Sequence, residues 1–97
     1  MRVVVRPTAR REIDEAVDFY EEQLAGLGSA FLEAVEDALT RISRSPESFP
    51  VVHRDARRLV IRRYPYVLIF RIADEVIQVV ACFHTARNPL SWRRRLN

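Results

Sequence analysis

RRLVIRRYPYVLIFRIADEVIQVVACFH, residues 57–84, decides the fold. Apolar residues recur at every second position in its opening segment, the period of a strand. Arg57 to Arg63 reads as a strand with Leu59 and Ile61 on one face. Arg58, Val60 and Arg62 then lie on the other. Tyr64-Pro65 is a turn, Tyr66 to Ile72 a second strand, Asp74-Glu75 a second turn, and Val76 to His84 a third strand. Strands joined by such short turns pair as an antiparallel meander. The last two are apolar on both faces, so both faces need a cover or a partner.

Upstream the period changes to that of a helix. Ala9, Ile13, Ala16, Val17, Tyr20 and Leu24 fall on one helical face, with Asp14, Glu15, Asp18, Glu21 and Glu22 over much of the rest. Thr8 is the expected N-cap. Gly26 to Gly28 interrupts, and a second stripe runs through Leu27, Phe31, Val35, Ala38, Leu39 and Ile42 to Ser45-Pro46. Two helices of about 17 residues with a tight link make an antiparallel αα-hairpin. Residues 2–6 read as a short strand that joins the sheet edge, and Pro46 to Pro50 as a loop. The expected fold is α+β in the order β-α-α-β-β-β. It has an N-terminal strand, an αα-hairpin and a three-stranded antiparallel meander, with the helices on one face.

At 97 residues, residues 1–97 form a single domain with one modest core. Nothing resembles a signal peptide or a membrane span, which points to a cytoplasmic protein with no membrane partner. One cysteine, Cys82, excludes an internal disulfide and multi-thiolate zinc sites. His53 and His84 lack metal-ligand spacing, so no metal is expected. Two glycines make no phosphate-cradling loop, and no cofactor is expected.

All 16 basic residues are arginine, against 13 acids. Residues 1–48 carry 6 arginines and 10 acids, net −4, whereas residues 49–97 carry 10 arginines and 3 acids, net +7. A basic half points to phosphate or to an acidic protein partner. Arginine binds both bidentately but cannot serve as a base.

Counting by twos groups Gln78, Cys82 and His84 on one face of the last strand. If Ile77, Val79, Ala81 and Phe83 pack under the helices, that group lines the open face with Arg58 and Arg62. His84 is then the acid/base candidate, or a hydrogen-bonding anchor for the tail near Arg87. Trp92 either stacks a base or packs down on the domain. Arg93, Arg94 and Arg95 grip phosphates or partner carboxylates. Val67, Ile69, Val76 and Val80 form an apolar patch that a partner covers, unless the tail covers part of it.

The element order in under 100 residues resembles the ParE/RelE superfamily of toxins from type II toxin–antitoxin modules. Four pieces carry the resemblance: the acidic helix from Ala9, the second helix ending at Ser45-Pro46, the segment Arg62-Arg63-Tyr64-Pro65-Tyr66-Val67-Leu68-Ile69-Phe70-Arg71, and the ending His84-x-x-Arg87-x-Pro89-x-x-Trp92-x-x-Arg95. The last is similar to the plasmid-stabilisation, ParE-like branch. That branch implies inhibition of DNA gyrase without chemistry of the toxin's own, leading to growth arrest. The RelE-like alternative implies a ribosome-dependent mRNA endoribonuclease, with His84 as acid or base and Arg58 and Arg62 on phosphate. The resemblance also implies neutralisation by a cognate antitoxin with an acidic C-terminal segment. Target or antitoxin contacts are then expected at Arg63, Arg71, Arg87, Trp92, Arg93, Arg94 and Arg95. Two departures stand beside it. Thr85 follows His84 where some ribosome-dependent members carry tyrosine, and the chain lacks the lysines that others use.

Overall fold

Strand β1, Arg2–Val5, leads directly into helix α1, Pro7–Gln23. The computed structural model describes residues 1–86 and 90–96. Proline suits a first helical turn because it has no N–H to leave unsatisfied there. Arg6 is the N-cap residue, and Thr8 lies inside the first turn rather than at the cap. Arg6 is still extended and donates its backbone N–H to the Val79 carbonyl at 2.9 Å. Strand pairing therefore ends at Arg6, and Pro7 begins the helix.

The link to helix α2, Leu27–Arg44, depends on both glycines. Gly26 has φ 95°, a left-handed conformation that other residues resist. A Cβ on Gly28 would lie 2.8 Å from the Val17 carbonyl oxygen of α1. The Glu21 carboxylate accepts the N–H groups of Gly26 and Gly28, each at 3.0 Å. That bond ties the end of α1 to the start of α2.

A short 3₁₀ turn, Pro46–Ser48, precedes β2 (Val51–His53), β3 (Ala56–Val60), β4 (Tyr66–Ala73) and β5 (Val76–His84). The sheet order is β1-β5-β4-β3-β2, with β1 parallel to β5 and the other pairs antiparallel. The meander is as expected from the sequence, with β2 as an additional strand at its far edge. β3 ends earlier than the pattern suggests. Arg62 and Arg63 belong to the following turn, where Arg63 has φ 72°. The last described elements are helix α3, Leu90–Arg93, and a 3₁₀ turn, Arg94–Leu96.

The sheet has a core on each side. Beneath the helices, Ile13, Phe31, Val35 and Ile42 pack on Leu59, Leu68, Phe70, Ile77 and Val79. Each such side chain, fully buried, contributes about 1.5–3 kcal/mol. Tyr20, Phe31, Tyr64 and Tyr66 close one end of this core, with ring centroids 5.0–6.1 Å apart. On the other side, Trp92 packs on Ala56, Val67, Ile69, Val80, Ala81 and Phe83. The tail therefore covers Val67, Ile69 and Val80 of the apolar patch expected to await a partner, but Val76 is not part of this cluster.

A β-bulge corrects the assignment of faces on β5. Its register against β4 passes from Ile69↔Ala81 to Phe70↔Val79, which leaves Val80 as an extra residue. One extra residue inverts the alternation beyond it. Ile77 and Val79 do pack under the helices, but Ala81 and Phe83 lie under the tail. Cys82 joins the helix-side core instead of sharing an open face with Gln78.

Candidate functional site

The residues expected to work together on RNA are separated by the sheet. Arg58 stands opposite Ile69 on β4, and Ile69 belongs to the tail-side core. Directly opposed residues of an antiparallel pair share a face, so Arg58 is on the tail side. Arg62 is exposed in the turn after β3. His84 is paired with Tyr66 on the helix side, their rings 5.3 Å apart and edge to face. The bulge at Val80 accounts for this separation.

His84 opens into a cavity of about 440 Å³ between α1 and the ends of β4 and β5. Its walls include Glu12, Glu15, Phe19, Tyr66 and Cys82, and no arginine among the described residues. Carboxylates beside the imidazole oppose a phosphate rather than attract one. The Ala86 backbone N–H donates to His84 Nδ1 at 3.0 Å, while Thr85 N–H donates to the Pro65 carbonyl at 2.9 Å. His84 thus anchors the chain as it leaves β5. His53, at the end of β2, packs edge to face with Trp92, 6.1 Å between ring centroids.

A second cavity, about 370 Å³, lies at the start of α1. Arg6 at the N-cap and Thr8 in the first turn of that helix, Arg71 and Gln78 from the sheet, and Arg95 from the tail line it. Arg71 and Gln78 are directly opposed across β4 and β5. The sequence reading did not single out Arg6, Thr8 or Gln78 for this place. Gln78 was the available signal, a lone amide in the apolar strand 76–84.

Between the two cavities, Glu12 and Arg95 close an open length of strand edge. β1 pairs with β5 only as far as Val79. Beyond it, Arg95 Nη1 donates to the Val80 carbonyl at 2.9 Å, and Cys82 N–H donates to Glu12 Oε1 at 3.1 Å. Arg95 also grips both Glu12 oxygens, at 2.8 and 3.0 Å. The ion pair thus takes the place of a neighbouring strand and fastens the tail. The hydrogen bond to Glu12 is the main reason that the Arg95 pKa is raised; the nearby Glu12 charge adds to it, against desolvation.

The other expected contact residues have several roles. Arg71 Nη2 donates to Asp55 Oδ2 at 2.9 Å. Trp92 is buried, 3% exposed, stacked with Phe83 at 6.1 Å. The Arg93 guanidinium lies 5.7 Å over the Trp92 ring. Arg63 and Arg94 are exposed, and Arg87 lies outside the described residues. Val60, 49% exposed, shares the tail-side face with Arg58. Arg58, Val60, Arg62 and Arg63 therefore form a short run of accessible positive and apolar surface. No group of three or more metal-ligating side chains occurs among the described residues. Nor, among them, is any helix long and apolar enough to cross a membrane.

This architecture is that of the small toxins of toxin–antitoxin pairs. The fold matches a chain of the chromosomal ParDE system from P. aeruginosa with a TM-score of 0.66 at 20% identity, covering 87% of this chain and 95% of that one. It matches a chain of the intact E. coli RelBE toxin–antitoxin complex with a TM-score of 0.65 at 21% identity, covering 89% and 98%. At those identities the likeness establishes the fold alone. The sequence gives the family. Residues 3–89 match the model for the ParE toxin of type II toxin–antitoxin systems, parDE. The chain belongs to that family. It is similar to Toxin ParE2 of Mycobacterium tuberculosis, 27% identical over 92 residues, covering 91% of this chain and 85% of the relative.

Proposed function

We propose that this toxin inhibits DNA gyrase by protein–protein contact and is neutralised by a cognate antitoxin. The observation that carries the reading is the separation of His84 from Arg58, Arg62 and the arginines of the second cavity. Cleaving RNA through its 2′-hydroxyl needs a base, an acid and cations around one phosphate. Here the histidine faces Glu12 and Glu15, while Arg6, Arg71 and Arg95 surround a different cavity that holds no histidine. A toxin that acts by binding needs no such assembly.

The antitoxin surface in this reading is the run Arg58, Val60, Arg62 and Arg63. Exposed valine offers apolar contact, and three arginines suit an acidic C-terminal segment. The tail already covers Val67, Ile69 and Val80 on that sheet face.

The test is DNA supercoiling by purified gyrase in the presence of the toxin and of His84→Ala. Both inhibit supercoiling and accumulate cleaved DNA, with any difference no larger than the variant's loss of folded protein. Absence of gyrase inhibition by the folded wild-type toxin, together with His84-dependent cleavage of mRNA on ribosomes, overturns the reading.

A further inference from the structure

The arginine-lined cavity at the start of α1 has no part in gyrase inhibition or antitoxin binding as proposed above. We propose that it is a binding site for a phosphate ester, held by Arg6, Arg71 and Arg95 with Thr8 and Gln78. Three guanidinium groups reach it from three separate parts of the chain, and no carboxylate of the described residues lines it. Thr8 and Gln78 add a hydroxyl and an amide, neutral groups that can donate to phosphate oxygens.

The cations retain unused capacity. Asp55 occupies Arg71 Nη2, but Arg71 Nε is buried without a hydrogen-bond partner. Arg95 uses three of its five N–H donors on Glu12 and the Val80 carbonyl. Arg6 is exposed, with no ion pair to any described residue. Two carboxylates thus offset two of the three guanidinium charges, leaving room for an anion.

The helix adds to the same field. α1 has 17 residues, no side-chain hydrogen bond at its N-cap and no acid in its first turn. Its positive end is therefore uncompensated beside Arg6 and Thr8.

Shape favours phosphate over carboxylate. A carboxylate can pair with one arginine fork in one plane, as Glu12 does with Arg95. A phosphate presents oxygens in several directions, and here the donors come from a helix start, two strands and the tail. The volume of about 370 Å³ lies at the lower end of small-ligand sites. It accommodates a phosphate together with an attached group of sugar size. That group belongs either to a free mononucleotide or to a nucleic-acid strand.

The test is amide NMR titration of the full chain. The probes are inorganic phosphate, a nucleoside 5′-monophosphate, a short single-stranded oligonucleotide and a glutamate-rich peptide. The proposal predicts saturable shifts at Thr8, Ala9 and Gln78 with the monophosphate, weakened by salt. Arg6→Gln and Arg71→Gln each weaken it by about tenfold, the effect of losing one charge-assisted hydrogen bond. Arg6 makes no ion pair with any described residue, so its variant keeps the test valid should Arg71→Gln unfold. An oligonucleotide that binds more tightly than the monophosphate at these amides assigns the site to a strand; the reverse assigns it to a free nucleotide. Shifts confined to other residues overturn the proposal. So does affinity unchanged in Arg6→Gln, or binding of the peptide with no response to either phosphate ester.

Discussion

Replacing Trp92 by alanine removes the centre of the tail-side core. The indole is 3% exposed and touches a cluster that includes Val67, Ile69, Val80, Ala81 and Phe83. Truncation of a buried aromatic of this size costs about 3–5 kcal/mol. The whole domain is stabilised by roughly 5–15 kcal/mol. At about 4–8 °C per kcal/mol for a chain of this length, Tm should fall by at least roughly 12 °C. The tail is a terminal segment, so some of the loss will appear as its release rather than as global unfolding. Release uncovers the five apolar side chains named above, and a dye such as ANS should then bind. Thermal unfolding followed by far-ultraviolet circular dichroism, alongside ANS titration, reads both effects. A destabilisation below about 1 kcal/mol, with no gain in dye binding, would refute the account of the tail as the second layer of the core.

Glu12→Gln should destabilise the fold by about 1–3 kcal/mol, because Arg95 loses its carboxylate and the partly exposed pair is only partly screened. Amide exchange at Cys82 should quicken in Glu12→Ala, which removes the acceptor of its N–H, and exchange as slow as in the wild type would show that Glu12 does not protect the β5 edge. Gly28→Ala places a methyl group 2.8 Å from the Val17 carbonyl oxygen and should cost about 1–3 kcal/mol in urea unfolding. A neutral result would mean that the two helices can part without penalty. Burial chiefly, with help from Tyr66 and Tyr64, raises the Tyr20 pKa above its ordinary value of 10.0. A raised pKa on an acid favours the neutral form in the fold. Its stabilisation is therefore complete below the ordinary pKa and is lost as pH rises through the folded one. Stability should fall as pH is raised from about 9 to about 11, and less steeply in Tyr20→Phe.

The helices were legible because each has only one apolar stripe. Ile13 and Ala16, then Phe31, Val35, Ala38 and Ile42, are buried where a 3.6-residue period puts them. The strands were legible for a different reason: short turns separate the apolar runs, and short turns dictate antiparallel neighbours. The face assignment on β5 was not legible. The run Val76–His84 is apolar on both sides, so nothing in its pattern marks the extra residue at Val80. That one bulge moved His84 away from Arg58 and dismantled the expected catalytic face. Strand β2 escaped notice because three residues after a proline carry too little pattern. The arginine cavity depends on long-range placement. Arg6, Arg71 and Arg95 are far apart in sequence, and only the sheet register and the docked tail bring them together.

The measurement that bears most directly on the central claim is pulse-labelling of DNA and protein synthesis after controlled induction in a bacterial host. Wild type and His84→Ala should be followed side by side. The account predicts that DNA synthesis stops first, with filamentation and a DNA-damage response, and that the folded His84→Ala protein behaves alike. Protein synthesis stopping first in the wild type, with the effect abolished in folded His84→Ala, would contradict it.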